Sequence, residues 1–300
     1  MSKRVLVAVN SRARRGSDAR AAIVEALRAR GHEVVDVRVD GAPSALSDAI
    51  VAHRDDVDAV LIGGGDGTLL GALPGLIETK LPLVIMPLGT FNELARTLGV
   101  PADPHELAAL LDDGRFLPLD AGSVNGVYYV NEASVGLSTR VARMQTGKLK
   151  RVLGMLAIPV TTLRALRWLR PMHLEVTADD GSVRTLRAVQ LTIANSYRFG
   201  GVVENPEGSL EDGTLWLYSI DVRGWRSVLG LLAAVVARRF AHSSEVIALR
   251  GRRFAVRSVH GTRHRVFADS ENVTRLPAEF TIAPHALTVA VPAARVRSIH

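Results

Sequence analysis

Apolar residues follow two rhythms along this chain, one in its first third and another beyond it. Val5–Val9 is an unbroken apolar run suited to a strand buried on both faces, and Ala59–Ile62 and Leu83–Met86 repeat that form. Between these runs, Ala19, Ala22, Ile23, Ala26 and Leu27 recur at helical spacing, with Ser17 as candidate N-cap and Gly31 as the stop. Val34–Val39 reads as a further strand, and Leu46, Ala49 and Ile50 mark another helix. Strand alternating with helix predicts a parallel sheet with helices on both faces. From about Leu117 short strand-like runs take over: Tyr128–Val130, Leu174–Thr177, Leu186–Ala194, Leu215–Ile220, Phe254–Val259, Arg265–Ala268 and Leu287–Val291. Asp180-Gly181 and Asp212-Gly213 are turn dipeptides among them. This half predicts a mostly antiparallel β domain, interrupted by amphipathic helical inserts at Lys148–Arg170 and Trp225–Phe240. The expected division is an α/β domain over 1–118 and a β-rich domain over 119–300, with the last residues able to return to the first domain.

Ligands on open parallel sheets bind at the carboxyl ends of strands, and two glycine-bearing segments fall there. Gly63-Gly64-Gly65-Asp66-Gly67-Thr68 follows the third strand, and Pro87-Leu88-Gly89-Thr90-Phe91-Asn92 follows the fourth. Glycines at Gly64, Gly65 and Gly67 let backbone amides approach a phosphate, and the start of the next helix adds partial positive charge. Thr68 can cap that helix or bond a phosphate oxygen. Asp66 would repel phosphates unless it accepts a proton or reaches a Mg²⁺ ion bridging them. Thr90 offers a hydroxyl to a phosphate or ribose, and Asn92 can cap the following helix. The first strand ends in Asn10-Ser11-Arg12-Ala13-Arg14-Arg15-Gly16, a basic loop suited either to wrapping phosphates or to standing free in solvent. No Gly-Lys-Ser/Thr follows the glycines, and no G-x-G-x-x-G follows the first strand, so neither familiar nucleotide fingerprint applies.

Composition narrows the partners. The 300 residues are 47% hydrophobic and 22% charged, as expected of a chain able to bury a sizeable core. The absence of cysteine excludes disulfides, thiolate nucleophiles and Cys-ligated metals, and fits a reducing, cytoplasmic setting. A net charge of +7, almost all of it arginine, favours anionic partners. Aromatic content of 5% without basic–aromatic interleaving argues against nucleic acid. No secretory leader is apparent, and Val152–Leu163 and Val228–Ala237 fall short of the roughly 18 apolar residues that span a bilayer. Arginines flank both segments, with Leu153, Met155, Leu166 and Trp168 in one and Trp225 beside the other. That mixture suits helices lying in a membrane interface, and predicts peripheral association with the inner face of a membrane.

The motifs together resemble the diacylglycerol kinase and sphingosine kinase family of lipid kinases. Gly64–Thr68 matches the GGDGT signature, which NAD kinases share. Pro87–Arg96 is similar to the family string P-x-G-T-x-N-D-F-A-R, and Leu98-Gly99-Val100-Pro101 follows it. Asp120-Ala121-Gly122 with Tyr129–Gly136 resembles the D-x-G…F-x-N-x-x-S-x-G block. Leu210-Glu211-Asp212-Gly213-Thr214-Leu215 resembles the L-x-D-G-x-L turn, and Ala268-Asp269-Ser270-Glu271 the D-G-E segment. The resemblance implies an NAD kinase/diacylglycerol kinase-like α/β domain followed by a β-sandwich. It implies transfer of the γ-phosphoryl of Mg-ATP to a lipid hydroxyl, with a part in lipid metabolism and phospholipid biosynthesis. Nucleotide contacts would come from Asn10, Ser11, Arg12, Gly64, Gly65, Asp66, Gly67, Thr68, Thr90 and Asn92, with Asp66 and Glu271 as catalytic residues. Glu271 takes the proton-acceptor role by position. A structural Mg²⁺ would be held by the Asp212 side chain, with Ser209 and Thr214 through backbone. A homodimer is common in such families. NAD kinase is the nearest alternative, since Asn131-Glu132 resembles its Asn-Glu pair, and a non-catalytic binding relative is the other. Departures include Asn10-Ser11 for Asn-Pro, Leu69-Leu70-Gly71 for the usual Leu/Val-Asn-Glu, Glu93-Leu94 for Asp-Phe, and Ser270 for glycine.

Overall fold

A computed structural model describes residues 2–10, 16–37, 44–137, 170–195, 198–199, 203–204, 208–237 and 239–293. The chain divides into two compact units. The first comprises Met1–Ala121, Ser209–Asp212 and Ala283–His300; the second comprises Gly122–Gly208 and Gly213–Ile282. The helix expected over Lys148–Arg170 lies, Arg170 apart, outside the described residues.

In the first unit, β1 (Arg4–Val9), β2 (Glu33–Val37), β3 (Ala59–Gly64) and β4 (Leu83–Pro87) run parallel in the order β2-β1-β3-β4. The end of the long strand β18 (Ala278–Val291) adds beside β4, Val289 opposite Leu83. Successive side chains on a strand face opposite ways, so a continuous apolar run serves two cores. Val5, Val7, Val9, Leu61, Val84 and Met86 pack with Ile23, Ala26 and Leu27 of α1 (Gly16–Ala29) and with Leu107, Ala108, Leu110 and Leu111 of α5 (Pro104–Asp113). On the other face Ile62 and Ile85 meet Leu69 of α3 (Asp66–Thr79) and Leu94 of α4 (Glu93–Leu98). Helix α2 (Ser44–Ala52) packs on α3, where Gly75 lies so close to Ser47 that a Cβ would stand 2.6 Å from its carbonyl oxygen. Each fully buried Val, Leu or Ile contributes about 1.5–3 kcal/mol, which outweighs the weak helix propensity of short α2 and α4.

Two local expectations are corrected. Helix α1 already begins at Gly16, so Ser17 sits inside its first turn and does not cap it. Gly31, at φ +81°, does end it. Helix α5 carries a side-chain cap that the apolar spacing did not reveal: Asp103 accepts from the amides of His105 and Glu106 at 2.9 and 3.1 Å.

The second unit is antiparallel. One sheet has the order β14-β13-β10-β7-β16-β17, from Val246–Gly251, Leu215–Ile220, Gln190–Ala194, Glu132–Gly136, Arg265–Ala268 and Glu271–Arg275. In the other, the start of β18 pairs with β15 (Arg253–Ser258), then β8 (Met172–Ala178) and β9 (Val183–Ala188). Strand β5 (Arg115–Val124) turns through Asn125-Gly126 into β6 (Val127–Tyr129). The run Leu186–Ala194 proves to be two strands, broken at Val189. Helix α6 (Trp225–Val236) lays Leu231 and Val235 against Ala194, Tyr218, Phe240 and Val246, and ends four residues before Phe240. No helix among the described residues is long and apolar enough to cross a membrane.

Candidate active site

The loops after β1, β3 and β4 are tied together at the carboxyl edge of the first sheet. Gly63 pairs with Met86 and Gly64 with Pro87, and the amide of Leu88 continues the ladder to the Gly64 carbonyl at 2.9 Å. Beyond it, a Cβ built on Gly89 would stand 2.5 Å from Cα of Gly65, and one on Gly64 would stand 2.5 Å from Cβ of Thr68. Gly89 is therefore required by the contact between the loops, and Gly64 by the return of Thr68 within its own loop. Gly67, in the first turn of α3, is exposed. A helix N-terminus of this kind favours negative charge.

Polar side chains fasten the same three loops. Asn10 donates from its backbone to the Gly63 carbonyl at 2.8 Å and from Nδ2 to the Thr68 hydroxyl at 3.1 Å. Asp66 accepts from the amide of Glu93, the first residue of α4, at 2.8 Å. Asn92 precedes α4 with φ +46°, yet makes no side-chain cap. Its amide group turns back on Gly89, accepting from the Gly89 amide at 2.8 Å and donating to the Gly89 carbonyl at 2.9 Å. The expected capping role of Asn92 is thus replaced by a clamp on the loop. Thr90 and Phe91 are exposed at its tip. Ser11 and Arg12 lie outside the described residues. Beneath Gly64 and Asp66 a small apolar hollow is lined by Ile62, Leu69, Ile85 and Leu94.

Also in the first unit, buried Asp120 accepts from the amide of His285 at 2.8 Å, while its own amide bonds the Leu210 carbonyl at 2.7 Å. The bond to Leu210 holds the Ser209–Asp212 turn. Ser209 accepts from the amide of Glu211 at 3.1 Å. Thr214, in the second unit, receives a hydrogen bond at 3.0 Å from Arg250 through its hydroxyl. An all-oxygen donor set with one carboxylate suits a hard divalent cation. The Ser209 and Thr214 hydroxyls each already accept a hydrogen bond, and backbone carbonyls are oxygens of the kind such a cation takes.

In the second unit Glu271 opens β17 and is exposed. The chain reaches it through Asp269 and Ser270, both left-handed, at φ +43° and +73°. The Asp269 carboxylate is buried and accepts three backbone amides, from Val130 at 2.8 Å, Asn131 at 3.0 Å and Glu132 at 3.1 Å. Asp269 therefore fixes the turn from which Glu271 projects. The only sequence signal for this was its place in the D-G-E-like segment. Burial, then the charges of Asp269 and Glu132, pushes the Tyr129 hydroxyl well above its ordinary pKa.

The chain matches the diacylglycerol kinase catalytic domain over residues 4–124. It matches the YegS C-terminal NAD kinase beta sandwich-like domain over residues 131–291. It is 30% identical over 298 residues to a "Probable lipid kinase YegS-like" of Pseudomonas syringae pv. tomato, covering 97% of this chain and 94% of the relative. Similarity to a diacylglycerol kinase of Bacillus subtilis (strain 168) is 27% over 277 residues, covering 91% and 90%. A solved structure of a diacylglycerol kinase from Bacillus anthracis str. Sterne superposes with a TM-score of 0.78 over 97% of both chains at 22% identity, a likeness of fold.

Proposed function

The chain belongs to the family of diacylglycerol kinase and YegS-like lipid kinases, and on that premise we propose that it transfers the γ-phosphoryl group of ATP to the hydroxyl of a membrane lipid such as diacylglycerol. The observation that carries this reading is the joining of the Gly64–Thr68 and Gly89–Asn92 loops through Asp66 and Glu93. Such a tie holds an anion seat rigid, and catalysis of phosphoryl transfer rests on positioning and charge stabilisation. Gly64, Gly65, Gly67 and Thr68 would receive the phosphates, with Asn10 and Thr68 held in register by their hydrogen bond. Ser11, Arg12, Thr90 and Asn92 would complete the nucleotide contacts.

In the reaction a lipid oxygen bonds to the γ-phosphorus, the bond from that phosphorus to the β–γ bridging oxygen breaks, and ADP leaves. Glu271 accepts the hydroxyl proton, and Asp66 keeps the phosphate geometry. Magnesium, when bound, supplies charge neutralisation at the phosphates. Asp212, with the carbonyls of Ser209 and Thr214, would hold a second, structural Mg²⁺. The amphipathic face of α6, with Arg223 and Arg226 exposed near exposed Leu229, supports reversible attachment to an anionic membrane.

The test is transfer of label from ATP to a panel of diacylglycerol, sphingoid base, ceramide, phosphatidylglycerol and undecaprenol, with NAD as a further acceptor and products identified by mass. A phosphorylated lipid is expected. Label on NAD alone, or on no acceptor, would overturn the reading.

A further inference from the structure

An arginine-bearing cavity lies in the second unit, lined by side chains given no role above. A cavity of about 390 Å³ is bordered by Arg170, His173, His260, His264 and Arg265, with Ser258 and Thr262 among its other polar walls. No carboxylate among the described residues lines it. The chain builds this collection from three separated stretches. Arg170 precedes β8 and His173 lies in it; Ser258 ends β15 and His260 follows it; His264 precedes β16 and Arg265 opens it. The rim is fixed by backbone bonds, from the Val259 amide to the His173 carbonyl at 2.9 Å and from the Leu276 amide to the His264 carbonyl at 2.8 Å. The rings of His173 and His260 meet edge to face at 5.4 Å.

The two arginines of the cavity differ from several others in the chain. Arg20, Arg30, Arg54, Arg187, Arg253 and Arg257 each meet a carboxylate. Arg170 and Arg265 meet none among the described residues, and Arg275 stands opposite Arg265 in the β16–β17 register. The nearby charges on packed elements are already committed: Arg187, opposite His173, to Asp221, and Arg257 to Glu175. Like charges repel, and among the described residues no carboxylate lines the cavity beside these two guanidinium groups. Two guanidinium forks, imidazole N–H groups and two hydroxyls are the donor set that a tetrahedral oxyanion requires.

We propose that this cavity binds a phosphate group, presented either by an anionic lipid headgroup or by a soluble phosphate. It is distinct from the nucleotide seat and takes no part in the transfer step. Occupancy by a headgroup would hold the second unit against a membrane that contains phosphorylated lipid.

The test uses the full chain without ATP, in two arms. One measures sedimentation with phosphatidylcholine vesicles containing phosphatidic acid, against vesicles containing neutral diacylglycerol. The other measures thermal stabilisation by inorganic phosphate and its ability to displace the protein from the vesicles. Arg170→Ala/Arg265→Ala is compared with Arg28→Ala/Arg115→Ala, which removes equal charge from exposed positions of the first unit. The cavity variant should lose about tenfold or more in affinity for phosphatidic acid vesicles, from roughly 1 kcal/mol per arginine at an anionic surface. The control should lose much less. Phosphate that stabilises the native chain, but not the cavity variant, identifies a soluble ligand; binding to vesicles alone identifies the headgroup. Equal behaviour of the two double variants in both arms overturns the proposal. Asp66→Ala protein should bind as the native chain does, so loss of turnover and loss of this site are separable.

Discussion

Gly89→Ala isolates what the contact between the two loops contributes. Gly89 is not among the positive-φ residues, so alanine meets no backbone penalty there and the effect is steric. Its Cβ would stand 2.5 Å from Cα of Gly65 and 2.6 Å from Oδ1 of Asn92, whereas ordinary contact begins at 3.4 Å. One partner is backbone and the other is held by two hydrogen bonds, so neither yields by a side-chain rotation. The loops must part by about 1 Å, and a misplacement of that size costs about 100-fold in rate when positioning drives catalysis. Overpacking itself costs about 1–3 kcal/mol. The expected result is a folded protein, slightly less resistant to urea, with turnover of ATP on mixed lipid micelles reduced about 100-fold and thermal protection by ATP greatly weakened. Gly230→Ala on α6 is the matched control, because its Cβ meets only the flexible end of Glu245 at 3.4 Å. Native turnover and native ATP protection in Gly89→Ala would refute the idea that loop contact sets the phosphate seat.

Three further outcomes follow from the second unit. Asp269→Ala strips three backbone amides of their acceptor, two of them on buried residues, and should cost roughly 3–5 kcal/mol, read as a lower urea midpoint at constant m. Asp269→Asn should cost less, since one oxygen can keep the amides of Asn131 and Glu132. Tyr129 has a folded pKa raised above its ordinary 10.0, so its contribution to stability is complete below about pH 10 and is lost as pH rises further toward the folded value. Tyr129→Phe should remove that alkaline loss, about 1.4 kcal/mol per pH unit, visible as a shallower fall in the urea midpoint above pH 10. Gly122→Ala drives a methyl into the Tyr129 ring and should cost about 1–3 kcal/mol, with the loss reduced when Tyr129→Leu accompanies it in a double-mutant cycle.

The α/β character of the first unit was legible because its strands are buried on both faces. Val5–Val9, Ala59–Ile62 and Leu83–Met86 have no polar alternation to confuse with a surface strand. Strands β7 and β17 were not legible: Glu132–Gly136 and Glu271–Arg275 carry charge and small residues, and only pairing with neighbours makes them strands. Val246–Gly251 was missed although Val246–Leu249 is an apolar run, because it is short and follows directly on a helical pattern. Glycine positions at strand ends announced the two loops of the candidate site. Their mutual attachment was silent, because Asp66 and Glu93 are 27 positions apart and the bond is to a backbone amide, whose sequence has no letter. Asn92 misled for a related reason. A residue that can cap a helix can equally fold back on its own turn, and the left-handed backbone at Asn92 selected the second.

The long final strand has a consequence for anyone dissecting this protein. Within it, residues up to Ile282 belong to the second unit and those from Ala283 on to the first, and Ser209–Asp212 is a second loan in the same direction. No single cut therefore yields a complete half: ending the chain at Ala121 leaves a parallel sheet without the edge partner of Leu83, and starting at Gly122 leaves that partner without a sheet. During synthesis the amino-terminal sheet must wait, its flank open, until the end of β18 has left the ribosome.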